Sequence, residues 1–139
     1  MNKRNLIAVV AAAAMVLMLT LTSGAVVKPK LTLSLHHVKH HSNVLKAKGN
    51  YDPNTSSSKC KAGGRFVSVK FHKVHKKGGV LAGTTTQKDG DYSVKSGQLS
   101  KGTWTANAEV QGDMSGPYGN NVVCKDADAK SSNTIKIGS

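Results

Sequence analysis

The chain has 139 residues, a formal net charge of +13 and only 4% aromatic residues. That length suits one domain of ordinary size with a thin core, and the charge favours anionic partners over cationic ones. Arg4 and Arg65 are the only arginines. Lysine is a hydrated point charge rather than the planar fork that reads bases or carboxylates, so the charge points to diffuse attraction to a polyanion. Plain solubility is the other reading.

Residues 1–5 form a short positive segment, and Leu6 to Thr22 run without a charge. Ser23-Gly24-Ala25 supplies the small residues of a cleavage site, so residues 1–25 are expected to be a cleaved signal peptide. An uncleaved signal anchor is the alternative, because the apolar run is at the lower limit for a membrane span. Cleavage leaves residues 26–139 as a single β-sandwich domain with no stable membrane span. Its charge is about +11 once Lys3 and Arg4 are gone. Both cysteines, Cys60 and Cys124, lie in this part. An even pair in an exported chain reads as one disulfide, which closes a loop of about 65 residues and is worth up to ~4 kcal/mol.

In residues 30–38, Leu31, Leu33 and Leu35 alternate with polar neighbours, the pattern of a strand with one apolar face. His36 to Asn43 reads as a polar connection. Alternation resumes at 44–49, with Leu45 and Ala47 on one side and Lys46 and Lys48 on the other. Residues 51–58 have loop composition. The clearest strand is 65–73, where Val67, Val69 and Phe71 face one way and Ser68, Lys70 and His72 the other. Val74-His75-Lys76-Lys77-Gly78-Gly79 is a basic turn.

Residues 80–86 form a weaker, Thr- and Gly-rich strand suited to an edge. The Asp89-Gly90 pair then predicts a hairpin into a strand whose Tyr92 and Val94 point inward. In 103–110, Trp104, Ala106, Ala108 and Val110 alternate with Thr105, Asn107 and Glu109. Gly116-Pro117-Tyr118-Gly119 lies in a loop, 125–133 reads as a polar connection, and Ile135 and Ile137 close the pattern. No stretch of 26–139 has a helical apolar period. About seven or eight short strands with Gly-rich turns argue for an all-β sandwich.

Thr86-Gln87-Lys88-Asp89-Gly90-Asp91-Tyr92-Ser93-Val94, preceded by Cys60 and the strand at 65–71 and followed by Gly102-Thr103-Trp104 and a second Cys, resembles the carboxypeptidase-regulatory-like and prealbumin-like (Cna B-type) domains of small exported bacterial proteins, of the kind common in actinobacteria. The resemblance spans most of residues 28–137. It implies an immunoglobulin-like (prealbumin-like) Greek-key β-sandwich of about seven strands with one disulfide, and a structural or adhesive role. Some relatives carry a Lys–Asn isopeptide supported by a buried acid. Glu109 is the only Glu here and has no matching spacing, so the isopeptide is not carried over.

His36, His37, His40 and His41 are the conspicuous cluster, and imidazoles suit Zn²⁺, Cu²⁺ or Ni²⁺. Adjacent strand residues point to opposite faces, so an exposed His-rich turn is the competing reading, and such a turn gains charge in mild acid. Asp89 and Asp91 suit turn chemistry better than calcium, which needs six to eight oxygens. No nucleophile–base motif and no His-Glu-x-x-His is present, so no catalytic residue or cofactor is expected. Lys46, Lys48, Lys70, Lys95 and Lys136 fall on outward strand positions and could hold an anionic cell-envelope polysaccharide or other polymer. Nucleic acid is disfavoured, because Phe66 is the only outward aromatic available for stacking. The sequence therefore predicts a secreted, non-enzymatic module, with an extracellular or periplasmic metal-binding protein as the alternative.

Overall fold

The computed structural model describes residues 26–55, 60–112 and 123–138, and every regular element within them is a strand. The signal-peptide expectation and the loop at 116–119 lie outside the described residues. In chain order the strands are β1 (Val26–Val27), β2 (Lys30–Leu31), β3 (Ser34–Val38), β4 (His41–Asp52), β5 (Phe66–Lys73), β6 (Val80–Thr85), β7 (Asp91–Lys95), β8 (Gly102–Val110), β9 (Val123–Cys124), β10 (Ala127–Lys130) and β11 (Ile135–Ile137).

They form two antiparallel sheets. In the first, β2 and β3 pair with one side of β4, and β7 pairs with the other. In the second, β5 lies between β6 and β8, while β10 and β11 share the far side of β8. A short parallel pair, β1 with β9, stands apart. The predicted alternation supplies the core: Leu31, Leu33, Leu35, Leu45 and Ala47 from the first sheet meet Val67, Val69, Phe71, Ala106, Ala108 and Val110 from the second. Each buried Leu, Val or Phe side chain contributes about 1.5–3 kcal/mol and the alanines less, so these paired faces are what hold the sheets together. Cys60 and Cys124 are bonded, with Cα atoms 5.9 Å apart across 64 residues, as their parity predicted.

The Asp89-Gly90 expectation needs correcting. The turn itself forms: Gly90 N–H donates to Gln87 O (2.9 Å), Gln87 N–H to Asp91 O (2.8 Å), and Gly90 takes φ +89°. The strands on either side of it do not pair with each other, since β6 pairs with β5 and β7 with β4. The turn is a corner that carries the chain from the second sheet to the first. Local turn chemistry sets a chain reversal, but not the partner. Thr86, buried, fixes the near side by donating from its hydroxyl to Ala62 O (2.5 Å) and from its N–H to Arg65 O (2.8 Å). On the far side Tyr51 N–H donates to Gly90 O (2.9 Å), drawing the corner onto β4.

Three stretches read as connections contain strand. His36 to Asn43 is a tight hairpin whose turn is Lys39-His40, with His40 at φ 64°. β4 runs on through Tyr51, which is buried, and β10 lies inside 125–133. In each case the backbone pairing extends beyond the strong apolar alternation, or rests on alanines that give a weak pattern. Conversely, 30–38 is interrupted. Around Thr32 the chain leaves and rejoins the sheet, with Thr32 N–H donating to Asn50 O and Asn50 N–H to Thr32 Oγ1, both at 3.0 Å.

Candidate functional site

On β4 the side-chain period buries Leu45 and Ala47 and turns Lys46 and Lys48 outward. Register then decides their neighbours. Lys46 stands between His36 on β3 and Lys95 on β7, and Lys48 stands between Ser34 and Ser93. Directly opposed residues have Cβ atoms about 4.5–5.5 Å apart, so Lys46 and Lys95 are like charges placed side by side. Asp91 lies at the far end of this face and accepts a hydrogen bond from Asn50 Nδ2 at 2.8 Å. The face is thus a three-lysine patch flanked by an imidazole.

A cavity of about 780 Å³ opens beside it, where the break at Thr32 leaves room. Ser34, His36, Lys48, Asn50 and Lys130 supply its polar rim, and Tyr92 also lines it. The Tyr92 hydroxyl donates to Thr32 O at 2.5 Å, and burial pushes its pKa up to about 12. The phenol therefore stays neutral and serves as a structural donor rather than a proton-transfer group. Burial also raises Tyr51, partly offset by Arg65. Gly49 is required here, because a side chain would collide with Thr32 O and the Tyr92 ring.

The five predicted lysines do not form one patch. Lys46, Lys48 and Lys95 share the first sheet, whereas Lys70 and Lys136 lie on the second, which faces the opposite way. Lys70 is opposite Asn107 and Lys136 opposite Thr103, four residues apart along β8, or about 13 Å. Lys130 and Asn50, on the cavity rim, were missed. Lys130 sat in a stretch read as loop, and only the contact between the sheets brings it to Lys48.

The histidines disperse. His36 and His37 take opposite sides of β3, opposite Lys46 and Leu45, while His40 occupies the turn and His41 begins β4. His36 Nε2 lies 2.9 Å from Ser34 Oγ. Among the described residues, no three His, Cys, Asp or Glu side chains are grouped to hold a metal ion. Asp89 and Asp91 act in the turn and on Asn50: Asp89 Oδ1 accepts Asp91 N–H at 3.1 Å. Comparison with protein-family models, curated proteins and solved structures yields no match to this chain, and none of the three identifies a carboxypeptidase-regulatory-like or prealbumin-like domain.

Proposed function

We propose that this chain is an exported, non-enzymatic β-sandwich module with a structural or adhesion role at the cell envelope, holding anionic polymer on its lysine-bearing surface. The observation that carries this reading is the Lys46–Lys95 pair. Like charges directly opposed across strands destabilise a sheet, and a neutral Ser or Thr would serve the fold better at either position. A polymer carrying regularly spaced negative charge turns that repulsion into attraction, with Lys48 and His36 alongside. The disulfide is consistent with an oxidising compartment, and the N-terminal pattern supports export.

The finer fold reading belongs to the same proposal. The chain crosses between sheets at the β4–β5, β6–β7 and β7–β8 connections, which supports an immunoglobulin-like Greek key with β2/β3 and β10/β11 each filling one strand position. The resemblance at Thr86 to Val94 accords with it. Titration of the protein with polyphosphate tests the function. Affinity is expected to fall at least about tenfold between 0.01 and 0.15 M salt, and to fall at both salts in a Lys46→Ser/Lys95→Ser variant. Affinity insensitive to salt rejects the electrostatic reading.

A further inference from the structure

We propose that the corner where β5 turns into β6 is a discrete site for a tetrahedral oxyanion, the phosphate or sulfate ester of an anionic polymer. This deepens the polyanion reading and rests on it only for the polymer. On β5, burial of Val69 and Phe71 turns Lys70 and His72 to the outer face, two residues apart on the same side. Their partners on β8, Asn107 and Thr105, carry no charge. Beyond Lys73 the chain reverses through His75 (φ 61°) and Gly78 (φ +86°), with Lys76 N–H donating to Lys73 O at 3.1 Å. The reversal lays Lys76 and Lys77 back over that face.

The result is a cavity of about 300 Å³ lined by Lys70, His72, Lys76, Lys77, Gly78 and Asn107, with no carboxylate among them. Glu109 and Asp128, the acids on this face, stand one row further along, level with Ser68. Lys73 is drawn elsewhere, its Nζ 5.7 Å from the Trp104 ring centroid.

One further observation distinguishes the cavity from a chance cluster of lysines. His72, on the cavity wall, has its Nδ1 shielded from solvent with no hydrogen-bond partner, an unsatisfied polar atom beside the three lysines. Three ammonium groups, an amide and an imidazole around one small volume offer more donors than the two oxygens of a carboxylate can use. Lysines also lack the planar fork that favours carboxylates. Phosphate and sulfate, with oxygens in several directions, fit the arrangement.

The test is an NMR titration of the oxidised protein with inorganic phosphate, sulfate and acetate at constant ionic strength, followed at the His72 imidazole and the Gly78 amide. Phosphate and sulfate are expected to give saturable shifts at both probes, with acetate weaker by about tenfold, and Lys76→Ser/Lys77→Ser is expected to weaken phosphate by about tenfold without altering the rest of the spectrum. A parallel Lys46→Ser/Lys95→Ser variant should leave these shifts unchanged. Shifts that fail to saturate, that spread evenly over all lysines, or that survive Lys76→Ser/Lys77→Ser overturn the site. Polymer binding with a silent His72 rejects this site and keeps the broader reading. Saturable phosphate binding without polymer binding does the reverse.

Discussion

In the first sheet the outer strand β3 is gripped from its open side. Leu35 N–H donates to Asn133 Oδ1 (2.8 Å), Asn133 Nδ2 donates to Leu35 O (2.9 Å), and Ser132 N–H donates to Leu33 O (3.0 Å). One asparagine from the β10–β11 connection thereby satisfies both backbone groups of a residue in the opposite sheet. The second sheet ends at β6, whose six residues are uncharged and pair with β5 in unbroken register. Leu81 on β6 and Phe66 beside it are 70% and 63% exposed. Phe66 lies over Gly83, with ring atoms 2.6 Å from where a Cβ would stand, so the aromatic ring shields the weakest point of the edge. The contrast teaches that closure of this sandwich is asymmetric. Polar clamps fasten the first sheet to the second, while the β5–β6 margin stays open beside the lysine cavity.

Cys60–Cys124 fastens a third place, the approach to β5, to β9. Reducing it should lower stability by about 4 kcal/mol, read as a shift of the urea midpoint with and without reductant. Hydrogen exchange on the reduced protein sharpens the contrast, since β6 should lose protection before β3 does. Asn133→Ala should come next, at about 2 kcal/mol, because it leaves Leu35 N–H and C=O without partners. Thr85→Lys, at an exposed position of the open edge opposite Phe66, should stay within about 0.5 kcal/mol. Equal effects of these two substitutions would erase the distinction between a clamped and an open edge.

Tyr92 belongs to the clamped side, where its hydroxyl donates to Thr32 O at the interruption between β2 and β3. Tyr92→Phe should cost about 1 kcal/mol. The same residue sets an alkaline limit. The unfolded phenol ionises near its usual value of about 10, whereas the folded one is held to about 12. The unfolded state therefore releases the proton first. Stability is full below pH 10 and declines as pH rises from about 10 to about 12. Denaturation curves across that window should show the decline, and Tyr92→Phe should remove its share of it.

The smallest expected effect has the opposite sign. Lys95→Ser removes a like charge facing Lys46 and should stabilise the fold by about 0.5 kcal/mol while weakening polyphosphate binding. A variant that loses stability and keeps its affinity would show that the lysine pair serves the sheet rather than a ligand.

Legibility differed by residue. Val67, Val69 and Phe71, or Trp104, Ala106 and Ala108, were readable because a strand buries every second residue and the pattern is strong. β10 was not, since Ala127 and Ala129 give a faint pattern and the partner that makes it a strand, β8, lies about twenty residues earlier. For the candidate sites, the outward lysines were legible individually. Lys76 and Lys77 looked like a solvated turn, because nothing local shows that His75 and Gly78 fold them back toward His72.

By itself the sequence determined the all-β class, the cysteine pairing, the inward and outward sets along most strands, and a strongly basic surface. These are short-range properties, set by the two-residue period, by parity and by composition. Only the tertiary structure decided that Asp89-Gly90 is a corner between sheets, that Lys46 faces Lys95, and that Lys70 joins Lys76 and Lys77 on the opposite side. Those outcomes depend on which strand pairs with which and in what register, which is fixed by burying both apolar faces at once.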